Sequence, residues 1–370
     1  MVEWKKLGGI ANLVRGKVIS KDYIRDHEGL YPVYSSQTAN NGILGCIDSY
    51  MFDGDFLTWT TDGAYAGTIF RRKGKFNITN VCGLVDLTDK QVNQDFLYYW
   101  LSFVAKDYVN EGMGNPKLMS NVASTIRIPI PSMAEQTRIV GILDTFTASI
   151  ENLKQQIAQR RKQYEHYRDQ LLDLEGKESN SIKCWGDFCD MVKGNGVQKV
   201  DFVESGKGCI HYGQIYTYYG SYAYSTNKFV SKEVFERAKK ASKGDLIMTD
   251  TSENVEDICK TVAYLGEDDI AVSNHALIIK HQQNPRFLSY STQTNNFLIQ
   301  KRKVVVGVKV SAIKPEHLAQ IKIYLPSIDD QSRVVSILDT FEAAIANLEQ
   351  QLVQREKQYE YYRNKLLTFE

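Results

Sequence analysis

The chain contains no apolar run approaching the roughly 18 residues that a membrane-spanning helix needs, so spanning a bilayer is not expected. Its opening segment, MVEWKKLGGIANLV, has neither a long apolar core nor a cleavage site, which argues for a cytoplasmic protein. The six cysteines (Cys46, Cys82, Cys184, Cys189, Cys209, Cys259) form no CxxC pair and have no histidine at ligand spacing. Free thiols without a structural metal are therefore expected. A formal net charge of only +1 does not by itself suggest a polyanionic partner, so any nucleic-acid contact would depend on local basic loops.

Catalytic signatures are missing as well. There is no GxxxxGK[ST] phosphate loop, nucleophile elbow, HExxH, or HxE with a downstream CxxC. Gly194-Asn195-Gly196 lacks the third glycine of a dinucleotide site, and His27, His166, His211, His275, His281 and His317 are scattered. Asp53 and Asp55 could imitate a nuclease carboxylate pair, but a turn explains them better. The expectation is a chain that is not an enzyme, with no catalytic residues, no metal and no cofactor of its own.

What the chain does contain is a duplication. Pro131 to Glu175 reads PSMAEQTRIVGILDTFTASIENLKQQIAQRRKQYEHYRDQLLDLE, and Pro326 to Glu370 reads PSIDDQSRVVSILDTFEAAIANLEQQLVQREKQYEYYRNKLLTFE. The copies align without a gap, identical at about 27 of roughly 45 positions. In the first, Ile139, Leu143, Phe146, Ile150, Leu153, Ile157, Tyr164, Tyr167, Leu171 and Leu174 recur at alternating steps of four and three. The second gives Val334, Leu338, Phe341, Ile345, Leu348, Leu352, Tyr359, Tyr362, Leu366 and Phe369. Both are heptad seams, interrupted at the equivalent Arg160 and Arg355, where a cation is expected to set register or face a partner. Pro131-Ser132 and Pro326-Ser327 supply a stop for the preceding strand and a cap for the helix. A helix of about 40 residues at 1.5 Å rise is about 60 Å long and would leave its stripe wet without a partner. A dimerisation stalk is one solution. Pairing within the chain is favoured, because the second copy is already tethered at high effective concentration.

The segments between the copies read as short strands and loops. Trp4 and Trp185 each open one, and Lys243-Gly244-Asp245-Leu246-Ile247-Met248-Thr249 echoes Asp53-Gly54-Asp55-Phe56-Leu57-Thr58. The expected organisation is a variable domain over 1–130, a helix over 131–175, a linker over 176–181, a second variable domain over 182–325 and a second helix over 326–370. The fold class is α+β: two small α/β domains separated by two long helices, which form an antiparallel coiled coil with internal pseudo-twofold symmetry.

Loops rich in Ser, Thr, Gln, Asn, Tyr, Arg and Lys carry side chains suited to base edges and phosphates. In the first domain these are Ser35, Ser36, Gln37, Thr38, Asn40, Asn41, Thr60, Thr61, Tyr65, Arg71, Arg72 and Lys73. In the second they are His211, Tyr212, Gln214, Tyr216, Lys228, Thr249, Thr251, Asn254, His275, Lys301, Arg302 and Lys303.

With P-S-x-x-x-Q-x-R-[IV]-V-x-I-L-D-T-F at Pro131–Phe146 and again at Pro326–Phe341, each followed by a heptad helix, the chain resembles the specificity subunit of type I restriction–modification systems across essentially its whole length. The resemblance implies two target recognition domains. Each would read half of a bipartite, asymmetric duplex DNA target while the helices fix the unread gap. It implies two modification subunits, which bind S-adenosylmethionine, and restriction subunits, which use ATP and Mg. It also makes the equivalent pairs Gln136/Gln331, Arg138/Arg333, Asp144/Asp339 and Asn152/Asn347 outward candidates for partner contact. Two alternatives stay open: a coiled-coil scaffold that binds proteins through its two domains, and a specificity subunit serving a fused methylase–nuclease.

Overall fold

Alternating apolar and polar residues make the stretch from Phe52 to Ile78 a long hairpin, and the rest of the first domain is assembled around it. The computed structural model describes residues 2–112, 114–307 and 311–369, so Glu370 at the end of the second copy lies outside it. One compact unit runs up to Leu153 and resumes at Gln351; the other is Lys154–Gln350. The division between the units falls at mid-helix.

In the first unit, strands β1 (Glu3–Lys6) and β8 (Arg127–Ile130) form an antiparallel ribbon. Strands β2 (Ala11–Arg15), β3 (Glu28–Tyr34), β4 (Ile43–Ile47), β5 (Phe52–Thr60), β6 (Ile69–Ile78) and β7 (Cys82–Leu87) form a sheet in the order β2-β7-β5-β6-β3-β4. Of its neighbouring strands, only β3 and β6 run parallel. Helix α1 (Gln94–Val104) buries Phe96, Leu97, Tyr99, Trp100 and Leu101 in one core with Leu57, Trp59 and Val85. Ile139 and Leu143 of helix α2 (Met133–Leu172) join this core, as does Leu367 from the end of the chain.

The second unit has two five-stranded sheets. One runs Asp190–Lys193, Ala276–Lys280, Leu246–Thr249, Thr261–Tyr264, Tyr222–Ala223; the other runs Phe202–Val203, Lys228–Val230, Lys207–Ile210, Ile270–Val272, Lys240–Ala241. Lys322–Tyr324 pairs antiparallel with Ile182–Cys184, as β8 does with β1. Helix α3 (Pro285–Ser291) takes the place of α1, and Val334, Val335 and Leu338 of helix α4 (Ile328–Leu366) close its core.

Both long helices begin as their Pro–Ser signals predict. Ser132 Oγ accepts the Glu135 N–H and Ser327 Oγ the Asp330 N–H, each at 3.3 Å. Within the second unit Tyr167 stacks on Phe341 and Arg161 pairs with Glu349, so rising numbers on α2 meet falling numbers on α4 and the pair is antiparallel. Within the first unit Phe146 stacks on Tyr362 at 5.3 Å. Neither seam arginine is buried. The Arg160 guanidinium lies 5.9 Å from the Phe341 ring, and Arg355 lies 5.7 Å from Phe146. Each interruption is thus a cation placed against the neighbouring helix's phenylalanine.

Candidate nucleic-acid interface

Each α/β domain is fastened to its long helix by a buried glutamine and a half-buried aspartate. Gln136 is fully buried: its Oε1 accepts the Asn93 N–H at 2.7 Å, and its Nε2 donates to the Gln91 and Pro131 carbonyls. Gln331 is buried equally and accepts the Asn284 N–H at 3.0 Å, donating to the Pro326 carbonyl and to Gln283 Oε1. The Tyr99 hydroxyl donates to Asp144 at 2.6 Å, and that of Tyr290 to Asp339 at 2.7 Å. A guanidinium completes each aspartate's shell, Arg71 at 3.2 Å and Arg286 at 2.6 Å. Burial first, and then Asp144 for Tyr99 and Glu342 with Asp339 for Tyr290, push both tyrosine hydroxyls above their ordinary range.

These contacts correct the outward placement expected of four residues. Gln136, Gln331, Asp144 and Asp339 hold their own domains, since their polar atoms are taken up by backbone, tyrosine, glutamine and guanidinium groups of the domain each seats. Arg138 and Arg333 do lie on the surface, where they pair along the helix with Glu135 and Asp330. Asn152 on α2 and Asn347 on α4 are exposed as expected, and each has an interaction within the chain. The anchoring motif was not singled out in the sequence, yet it is there: Asn93-Gln94-Asp95-Phe96-Leu97-Tyr98-Tyr99 and Asn284-Pro285-Arg286-Phe287-Leu288-Ser289-Tyr290 share N-x-x-F-L-x-Y. In both, the asparagine Oδ1 caps the helix by accepting two N–H groups, and the phenylalanine and leucine are fully buried.

On the first domain the polar loop forms a short turn at Ala39–Gly42 in which Asn40 and Asn41 have left-handed backbones and exposed side chains. Arg72 holds it from beneath. This residue is buried, donates to Thr58 Oγ1 at 3.0 Å and to the Asn41 carbonyl at 2.9 Å, and stacks on the Tyr34 ring at 3.6 Å. Burial holds its guanidinium below the ordinary arginine range. Gly42 is required here, since a Cβ would come within 2.9 Å of that guanidinium on a backbone with φ +79°. Ser35, Ser36, Gln37 and Thr38 are half-buried beside the turn, with Gln37 donating to the Ile43 carbonyl and Ser35 Oγ accepting from Thr79.

Three further expectations in this domain need correcting. Thr60 and Thr61 are fully buried and Arg72 nearly so, which leaves none of them free to touch a duplex. They support the loops instead: Thr60 Oγ1 donates to the Tyr65 carbonyl and accepts the Thr68 N–H, presenting Tyr65 at 58% exposure. Arg71 is held by Asp95 and Asp144, whereas Lys73 is exposed across from Asp55.

On the second domain a cleft of about 490 Å³ gathers five of the expected residues, Tyr212, Tyr216, Thr251, Asn254 and His275, with Ser252, Glu253, Asp257 and Lys260. The Tyr216 hydroxyl donates to the Thr251 carbonyl at 2.6 Å, and Lys260 Nζ to the Tyr216 carbonyl at 3.1 Å. His211, Gln214, Thr249 and Lys301 are buried, contrary to a role at the duplex. His211 caps Tyr212–Thr217 with Nδ1 accepting the Gly213 N–H at 3.2 Å, and Gln214 returns a bond to the His211 N–H. Lys301 Nζ donates to the Glu256 and Ile258 carbonyls, and burial lowers its ammonium below the ordinary range. Lys228, Arg302 and Lys303 are exposed outside the cleft, Arg302 paired with Glu256. Sequence reasoning passed over the exposed Tyr50, Tyr218 and Tyr224.

Among the described residues no group of three His, Cys, Asp or Glu side chains could hold a metal, and no helix is long and apolar enough to cross a membrane. Burial pushes the Cys82 thiol up to about 11 and those of Cys189, Cys209 and Cys259 up to about 12, which leaves them unreactive.

Two dissimilar α/β domains, each presenting polar loops and each seated by the same clasp on a copy of one helix, define a double-headed recognition protein. Residues 1–160 and 178–355 match the family model described as the type I restriction modification DNA specificity domain, and the chain belongs to that family. A Mycoplasma pneumoniae protein described as a type I specificity subunit is 29% identical over 98% of this chain and 97% of its own length. The specificity subunit of the type I restriction enzyme MpnII, from the same organism, is 36% identical over 47% of this chain and 54% of that one. The crystal structure of a type I restriction–modification S subunit from M. genitalium has the same fold, with a TM-score of 0.62 at 15% identity, covering 100% of this chain and 97% of that one.

Proposed function

We propose that each domain reads one half of a bipartite, asymmetric sequence in double-stranded DNA, while the helical pair sets the unread interval and docks two modification subunits. The observation that carries this reading is the repetition of one seat beneath two unlike loop surfaces: Gln136–Asn93 with Asp144–Tyr99, and Gln331–Asn284 with Asp339–Tyr290. A constant seat under variable loops suits a part that must be mounted identically but read differently. The chain acts in the cytoplasm and supplies address without chemistry. S-adenosylmethionine would bind the modification subunits, and ATP and Mg the restriction subunits.

Replacing residues 182–325 with the corresponding domain of another specificity subunit tests this. Single-molecule sequencing of adenine methylation should show one half of the motif changed and the other kept. An unchanged motif in that chimera would sink the assignment.

A further inference from the structure

Among the described residues only four that are not glycine have left-handed backbones: Asn40 (φ +48°), Asn41 (φ +51°), Cys259 (φ +66°) and His275 (φ +64°). Cys259 is buried. The other three are exposed polar residues, and each lies in a loop at a candidate reading surface. Glycine occupies this conformation without cost, whereas a side chain crowds its own carbonyl there, even though Asn and His tolerate it better than most residues. Such backbones persist where the surroundings over-determine them, and they cluster at sites of function.

The surroundings do over-determine these three. The Asn41 carbonyl is gripped by the buried Arg72 guanidinium at 2.9 Å, and the Asn40 carbonyl accepts the Ile43 N–H. The His275 carbonyl accepts the Asp250 N–H at 3.2 Å, and Asp250 is itself buried and tied by its carbonyl to the Ile313 N–H at 3.0 Å. By contrast the side chains are unspent. No described residue hydrogen-bonds to the Asn40 or Asn41 amide or to the His275 ring, which meets the edge of Tyr212 at 5.2 Å at the mouth of the cleft. Backbone clamped from within and side chain left open to solvent is the arrangement that presents a hydrogen-bonding group in a fixed direction.

We propose that Asn40 and Asn41 in the first domain, and His275 in the second, are specificity-determining residues that read base edges in the major groove of duplex DNA. This rests on the proposed function above and sharpens it. An asparagine amide matches adenine, donating to N7 while its oxygen accepts from N6. An imidazole N–H suits a purine N7 or a guanine O6.

Glycine substitution is the discriminating test because it keeps the backbone and deletes only the side chain. Asn40→Gly, Asn41→Gly and His275→Gly are introduced into the full chain in its own cells, and adenine methylation is read genome-wide by single-molecule sequencing. Each variant should melt at or above the parent temperature and lose roughly tenfold or more of its preference at one base position. The asparagine variants should blur one half of the motif and the histidine variant the other. Should a glycine variant melt lower, His275→Asn, or Asn→Asp in the first domain, replaces it, and a shifted base preference in the same half carries the proposal. Glycine variants that methylate the parent motif with parent selectivity at every position overturn it while leaving the specificity-subunit reading intact. A parent chain that directs no bipartite methylation overturns both.

Discussion

The amide oxygen of the fully buried Gln136 accepts the Asn93 N–H at 2.7 Å. One side chain thereby joins the start of a domain helix to the start of the long helix. It pairs its own buried amide with one backbone donor and two carbonyls, leaving none of the amide's polar atoms stranded.

Gln136→Ala and Gln331→Ala should each cost about 1–3 kcal/mol, the penalty for stranding buried backbone groups. Because the chain has two compact units, a single global midpoint would blur this. Hydrogen exchange resolves it. Amides of Gln94–Val104 should lose protection in the first variant and those of Pro285–Ser291 in the second, each leaving the other helix unchanged.

Tyr99→Phe and Asp144→Ala break the same bond, so the double variant should be less destabilised than the sum of the singles. The coupling expected between contacting polar partners is about 0.5–3 kcal/mol. A strictly additive cycle would mean that the 2.6 Å contact carries no net stability.

Arg160→Leu with Arg355→Leu removes two cation–ring contacts at 5.9 and 5.7 Å on the helix surface. Exposed contacts of this kind contribute about 0.5–1 kcal/mol each, so a small fall in melting temperature is expected with the methylated motif and its gap unchanged. A changed gap would show that these arginines set register after all.

Acid should weaken the second unit through two histidines. Burial holds both His211 and His281 below the ordinary imidazole range. A histidine whose folded pKa is depressed stabilises the fold fully above its unfolded value of about 6.5. That contribution is lost as pH falls from there toward the folded value, because the unfolded chain takes up the proton first. Exchange protection in Leu246–Thr249 and Ala276–Lys280 should therefore fall between neutral pH and pH 5, and less steeply in His281→Gln. A flat profile down to pH 5 would contradict this.

The long helices could be read from sequence because they are local: heptad period, Pro–Ser start and duplication all lie within the segments themselves. The clasp could not, since a glutamine on a helix looks solvated until Gln91 and Asn93 are folded against it. Arg72 is the instructive miss. Arg71-Arg72-Lys73 reads as a basic patch, but on a strand successive side chains face opposite ways. The partial exposure of Arg71 and the 87% exposure of Lys73 already require Arg72 to point inward, where it became the prop of the asparagine turn. His211 and Gln214 were missed for a similar reason: they read as donors for bases and serve as caps for a short helix.

The two seats are nearly alike, but at one position they differ in charge. Tyr99 meets Asp144 and Thr147 on α2, whereas Tyr290 meets Asp339 and Glu342 on α4. The extra carboxylate is answered within the second domain by Ser221, whose hydroxyl donates to it at 2.9 Å. A domain grafted onto the second seat therefore meets a carboxylate that needs a donor in the place of Ser221, whereas one grafted onto the first meets the hydroxyl of Thr147 and needs none.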